Sequence, residues 1–326
     1  MRPNCMLLLI GVSLLFSCAA KAAKTRVILD TDANNELDDQ HAIAYMLFNG
    51  NDFAVEGITV NKTRNGGDVG QHYKEADRVV KLCQLDKKIP IYTGANGNFN
   101  QIKDHVTEAD FDGAEAVDFI IHRAKAQSRR RLVLLPVGKL TNIALALHKD
   151  PSIASKVRIV WLGSNYPGPG EYNQDNDVPS MNYILNTKVD FEIALVRYGK
   201  PSGTDAVRAS MVEIKQRMPG LGPRIAQPVV GRHGNEFSCF GDYSIDLFKN
   251  MKDESRALFD MAAVAIVKNP AWARASKIPS PQYVKGKWIE RPENLHKIIL
   301  WQDFDKNRIM KDFYHSMEHY VLAKTQ

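Results

Sequence analysis

Short apolar runs alternate, along most of this chain, with segments whose apolar positions recur every three or four residues. Residues 26–29 (Arg-Val-Ile-Leu) form an apolar run that stops at Asp30, and residues 40–49 follow at helical spacing through Ala42, Tyr45, Met46 and Phe48. The same alternation predicts a strand over 53–60, a helix over 70–84, a short strand at Pro90-Ile91-Tyr92 and a helix over 114–126. It continues with a buried strand over 132–135, a helix over 140–148 and a strand over 157–162. Strands joined by helices make βαβ units. The predicted fold is therefore α/β, an open, mostly parallel sheet flanked by helices. Beyond about residue 200 the pattern loosens, with Gly and Pro clustered at 219–234. A strong helical pattern returns over 254–268, short strands are expected in VKGKWIE and HKIILW, and a last helix over about 306–323. Nothing repeats internally.

A parallel sheet binds its ligands outside the carboxyl ends of its strands. The segments Asp30–Asp39, Val60–Asn65, Pro136–Thr141 and Gly163–Asn182 all leave such ends, so four distant polar loops are expected on one rim.

The first 23 residues fall outside this reading. Arg2 precedes the apolar run Met6–Phe16, which is too short to span a bilayer and fits the core of a signal peptide. Residues 1–23 are therefore expected to be an export signal and 24–326 one domain, delivered to the periplasm or secreted. Two exits stay open: cleavage after Ala20-Lys21-Ala22, or a lipoprotein box ending at Cys18 that leaves a lipid anchor. Export removes Cys5, and Cys18 is either removed with it or carries the lipid, so Cys83 with Cys239 could then form a single bridge or remain two buried thiols. The net charge is +6. Its one dense run, Arg129-Arg130-Arg131, directly precedes an apolar strand and reads as a solvated loop, so no nucleic-acid partner is expected.

The chemistry concentrates in Asp30-Thr-Asp32-Ala-Asn34-Asn35-Glu36-Leu-Asp38-Asp39, five carboxylates in ten residues just after a strand. Like charges this close cost free energy unless a cation offsets them. Hard oxygen donors favour calcium or magnesium over zinc. Adjacent Asp38 and Asp39 point in different directions, so one can hold an ion while the other holds a water. A cation that fixes and polarises water beside a free carboxylate is a device for hydrolysis.

These residues resemble a known family. VILDTDANNELDDQHAIAYML is similar to the N-terminal signature of the inosine–uridine nucleoside hydrolases, and GITVN (57–61), AVDFII (116–121), LPVGKLTNIALAL (135–147) and FDMAAVA (259–265) agree with its later motifs in order. The resemblance implies calcium-dependent hydrolysis of the N-glycosidic bond of a ribonucleoside, through an oxocarbenium-like sugar. It implies Asp38 as general base, Asp32, Asp39, the Val137 backbone carbonyl and Asp260 as calcium ligands, and Asp30 as a supporting carboxylate behind them. It implies Asn182 on a ribose hydroxyl, with Asn173 (or Asn176) and Asn61 (or Asn65) as further substrate contacts. The partner is then a small nucleoside or related glycoside, and a homo-oligomer stays open.

The chain departs from the family pattern in three places. Asp30 to Asp38 is two residues longer, around Asn34-Asn35, which could bring Asn34 or Glu36 into the site. Ser180 stands where the family often has a ribose-binding Glu. Phe259 stands where many members have a His that helps the base leave, and a phenyl ring cannot protonate. Two alternatives follow: a nucleoside- or sugar-binding protein with degenerate catalysis, or a hydrolase of another ribosylated compound. His233, in a polar loop, is a weaker candidate for the missing acid. Tyr166 and Tyr172 are candidate pocket aromatics, and Trp161 reads as strand core.

Overall fold

The computed structural model describes residues 23–325, so the expected signal segment and the Cys18 lipoprotein box lie outside the described residues. Eight strands form one sheet. Six come from the first two thirds of the chain: β1 (Thr25–Thr31), β2 (Phe53–Val60), β3 (Ile91–Thr93), β4 (Leu132–Pro136), β5 (Val157–Gly163) and β6 (Asp190–Leu195). Their order across the sheet is β3-β2-β1-β4-β5-β6, all parallel. The strand Lys297–Gln302 extends the sheet in parallel beside β6, and Arg274–Pro279 closes that edge antiparallel.

Side chains alternate across a strand, so a sheet covered on both faces must be apolar in both registers. In β1, Val27 and Leu29 join one core cluster while Ile28 joins the other, and in β4 Val133 and Leu135 oppose Leu132 and Leu134. The first cluster is closed by the helices Asp38–Phe48, Val69–Leu82, Phe240–Lys249, Phe259–Lys268 and Lys306–Glu318. The second is closed by Ala114–Lys125, Thr141–Lys149 and Val178–Asn186. Cys83 and Cys239 are buried and unbonded to each other.

Three expected boundaries move. The pattern over 254–268 splits, because Ser255–Ala257 is held as a strand against Arg208–Ser210 and the helix begins only at Phe259. The last helix stops at Glu318, after which Val321 and Ala323 donate to carbonyls of Phe48 and Leu47. The helix expected to 84 ends at Leu82, with Gln84 at positive φ.

Candidate active site

The strand order reverses between β1 and β4, and the connections leaving these neighbours run to opposite faces of the sheet, which opens a crevice at their carboxyl ends. The Val137 amide donates to the Asp30 carbonyl at 2.8 Å, so the two strands stay paired to their last residues before they part. The cavity beyond, about 280 Å³, is lined by residues of both loops and of the chain's second half.

The expected rim forms. Asn61 and Asn142 donate to the Asp30 carboxylate, Thr63 donates to Asp32, and the Arg64 amide donates to Asn176 Oδ1. Asn173 Nδ2 donates to the carbonyls of Val137 at 2.7 Å and Leu162 at 3.2 Å. Gly138 is required here, because a Cβ on it would lie 2.8 Å from Asp32 Oδ1 and 3.1 Å from the Asn61 amide.

The acidic residues come together across the whole chain. Asp38, Asp39 and Asp260 each offer a carboxylate oxygen, all within 4.8 Å of one another, and all three are buried. Asp38 and Asp39 sit in the first turn of one helix and Asp260 in the first turn of another, and both helices lack a side-chain N-cap. Their free amide ends and dipoles favour negative charge at this spot. The backbone amides of Phe259 and Asp260 favour the ionised form of Asp38. Thr31 Oγ1 donates to Asp39 at 2.5 Å.

Burial nevertheless dominates the electrostatics. It pushes the Asp30 carboxyl up to about 7 against the bonds from Asn61 and Asn142, and Asp32 to about 6. Asp38 is raised to about 7 by burial, with Asp32 adding to it. Asp39 and Asp260 are held well above the usual carboxylate range by burial first and by their acidic neighbours second. Five desolvated carboxyls packed this closely favour a cation among them.

Of the residues expected from sequence, Asp32, Asp38, Asp39, Val137, Asn173 and Asp260 line the cavity. Asp30 and Asn61 are fully buried behind it and bond to each other at 2.6 Å, so Asn61 braces the carboxylate layer rather than facing the cavity. Asn182 does not join the lining. Its Nδ2 donates to the Tyr283 carbonyl at 2.7 Å and its Oδ1 accepts the Tyr283 amide at 3.0 Å, an arrangement that fixes the Gln282–Val284 strand. In the longer loop, Asn35 and Glu36 reach the cavity, while Asn34 turns away to the Gly66 carbonyl. Ser180 is buried and donates to the Asp177 carbonyl. Tyr172 lines the cavity, Tyr166 does not, and Trp161 is core, with its indole N–H on the Gly138 carbonyl. His233 lies in a neighbouring depression with Arg232 and Arg256.

Sequence reasoning missed Glu171, Tyr198, Arg208 and Arg256, all in the lining. Glu171 caps the short helix Tyr172–Asn176, accepting from the amides of Ser164, Asn173 and Gln174, and burial raises its carboxyl. Tyr198 donates to Glu171 and stands edge-on to Phe259, ring centroids 5.8 Å apart. A Glu two residues before Asn173, at the start of a turn of helix, was the signal available for the first of these.

Comparison with known proteins points to one family. The model of the inosine-uridine preferring nucleoside hydrolase family matches residues 27–303. The inosine-uridine preferring nucleoside hydrolase of Crithidia fasciculata is 23% identical over 312 residues, covering 86% of this chain and 94% of that protein. The one from Leishmania major is 24% identical over 208 residues, covering 60% of this chain and 63% of that protein, just under two thirds of its length. Among solved structures, a plant nucleoside hydrolase superposes with a TM-score of 0.70 at 16% identity, over 90% of this chain and 99% of that one. A purine-preferring ribonucleoside hydrolase from Gardnerella vaginalis gives 0.67 at 20% identity, over 90% and 98%. At these identities the structural likeness speaks to the fold.

Proposed function

Because this chain belongs to the inosine-uridine preferring nucleoside hydrolase family, whose members are N-ribosyl hydrolases, we propose that it hydrolyses the N-glycosidic bond of a ribonucleoside to free base and ribose, with calcium as its resident ion. The observation that carries this reading is the meeting of Asp38 and Asp39 with Asp260, buried carboxylates more than 200 residues apart that share one small space at the sheet's switch point.

The donor set fits a hard divalent cation. Asp32, Asp39 and Asp260 are buried, and among the described residues no Lys or Arg forms an ion pair with them. An uncompensated buried carboxylate costs several kcal/mol, and here several are stacked together. Asp32, Asp39, Asp260 and the carbonyl of Val137 would hold the ion, all through oxygen, which suits calcium. When bound, such an ion supplies the positive charge that holds water and sugar hydroxyls in place and makes the water easier to deprotonate.

The remaining roles belong to the chain. Asp38 takes the proton from a water as that oxygen bonds to the anomeric carbon. The amides of Phe259 and Asp260 keep the Asp38 carboxylate aimed and ready to accept it. Thr31 and Thr63 fix Asp39 and Asp32, and the Asp30–Asn61–Asn142 set braces the layer beneath them. Asn173 and Glu171 present the polar wall for the sugar, and Phe259 with Tyr198 forms an aromatic wall that excludes water from the other part of the cavity.

Incubation of the calcium-loaded protein with a panel of ribonucleosides, followed by chromatography of free bases and a reducing-sugar assay, tests the reading. Equimolar base and ribose are expected. Binding of nucleosides with no products over long incubation would overturn it in favour of a binding protein.

A further inference from the structure

We propose that Arg256 stabilises the departing base, as a charged hydrogen-bond donor that replaces a titrating acid. This inference rests on the hydrolase reading above and adds a residue to it. When the C–N bond breaks, its electron pair moves to the base nitrogen, and that charge must be met. The carboxylates of the cavity cannot meet it, and no histidine lines the cavity among the described residues. Phe259, beside the acidic cluster, has no proton to give. Two cationic side chains line the cavity, Arg208 and Arg256.

Their partners separate them. Arg208 is spent: its guanidinium donates to Asp205 Oδ1 at 2.9 Å, to Ser255 Oγ at 3.3 Å and to the Ser255 carbonyl at 3.1 Å. Arg256 is held at its tip by an ion pair between Nη2 and Glu36, yet its Nε is buried and has no acceptor. A buried donor without an acceptor is costly and calls for an explanation. The guanidinium carbon lies 5.7 Å from the Phe259 ring centroid, against the aromatic wall, with the Asp260 charge also acting on it. The backbone is rigid at this point, because Arg256 pairs with Ala209 in a two-stranded ladder that ends one residue before the Phe259 helix is capped. Burial lowers its pKa, which marks a desolvated charge, but a guanidinium stays protonated in proteins and acts by charge and hydrogen bonding alone.

The step balances without another reagent. The base leaves with the bonding pair as an anion, hydrogen-bonded by Arg256. Water adds its oxygen to the anomeric carbon and gives one proton to Asp38. The base anion then takes a proton from solvent and Asp38 returns its own to solvent, so one water is consumed for each base and ribose released.

The test uses two substrates that differ only in what leaves. A nucleoside releases a poor leaving group, whereas 4-nitrophenyl β-D-ribofuranoside releases a stable anion that needs no help. Arg256→Gln is expected to lower kcat on the nucleoside by about 100-fold, the usual loss for one preorganised donor, and on the nitrophenyl riboside by no more than about threefold. Arg256→Lys, which keeps the charge, recovers part of the nucleoside rate. The alkaline side of the wild-type pH–rate profile shows no limb that the Gln variant removes, because a guanidinium does not titrate there. Equal losses on both substrates, with melting temperature unchanged, would overturn the assignment and leave the hydrolase reading standing. A wild-type protein that splits neither substrate would instead remove the reading on which it rests.

Discussion

Replacing Asp260 by Asn separates an ion site from an ordinary buried hydrogen-bonding site, because the two predict opposite signs of effect. The Asp260 carboxylate lies within 4.8 Å of oxygens on Asp38 and Asp39, and among the described residues no Lys or Arg forms an ion pair with it. Two unit charges at that spacing, in an effective dielectric of about 20, repel by about 3 kcal/mol. In chelator the wild-type protein carries this strain, either as repulsion or as the cost of protonating a carboxyl. Asp260→Asn keeps the shape and removes one charge, so in chelator it should be more stable than wild type by about 1–3 kcal/mol. Calcium reverses the order. A ligand at 100 times its Kd adds about 3 kcal/mol to the form that binds it, and the variant, which keeps an oxygen but loses a negative charge at the ion, gains much less at the same concentration. Thermal melts of both proteins at neutral pH, in chelator and in millimolar calcium, therefore cross. Parallel melts, with the variant less stable by the same amount in both conditions, would refute the reasoning and make Asp260 a structural residue.

Other substitutions test the remaining assignments. Asp38→Asn should lower kcat by about 100- to 10,000-fold while calcium affinity measured by calorimetry is retained; a variant with normal turnover would clear Asp38 of its role. Asn173→Ala should raise KM, whereas Asn182→Ala should leave KM alone and cost about 1–2 kcal/mol in denaturant unfolding, because it releases the Tyr283 backbone. His41 is fully buried, with Nδ1 on the Leu37 carbonyl and Nε2 on Ser244, and burial lowers its pKa to about 4 from 6.5. The folded state thus keeps it neutral. Its contribution is fully present above about pH 6.5 and is lost as pH falls through about 4, by about 3 kcal/mol in all. The stability gap between wild type and His41→Gln should narrow over that range, and a constant gap would contradict the pKa.

The fold was legible where elements are long or strongly periodic. The strands at 53–60, 132–136 and 157–163 and the helices at 114–125 and 141–149 lie within a residue or so of the apolar pattern. A parallel sheet then dictated that their loops share a rim, and Asp30, Asn61, Asn142 and Asn173 meet there. The region from 165 to 250 was largely illegible. Its helices Tyr172–Asn176 and Met211–Arg217 are too short to complete enough turns for a period to emerge. Phe240–Lys249 is longer but follows a stretch rich in Gly and Pro that masks its start. This is where the missed lining residues Glu171, Tyr198 and Arg208 come from. Arg256 was hidden differently. It falls inside an apparently continuous helical pattern, and only the pairing of Ser255–Ala257 with Arg208–Ser210 turns it toward the cavity. Asp260 could be placed beside Asp38 only through resemblance, since nothing local links a helix at 259 to a loop at 30–39. Asn182 shows the limit of such transfer: the same residue type, in a helix near the site, has its amide consumed by a neighbouring strand.

In the proposed reaction, distant carboxylates gather around one divalent ion that orients water against a sugar. The most direct test is a crystal structure of the protein soaked with calcium and a ribose-like inhibitor. The account predicts a single ion touching Asp32, Asp39, Asp260 and the Val137 carbonyl, with sugar hydroxyls of the inhibitor on the same ion and Asp38 facing a water. An inhibitor bound in the cavity with no ion beside Asp260, or an ion held elsewhere, would contradict it.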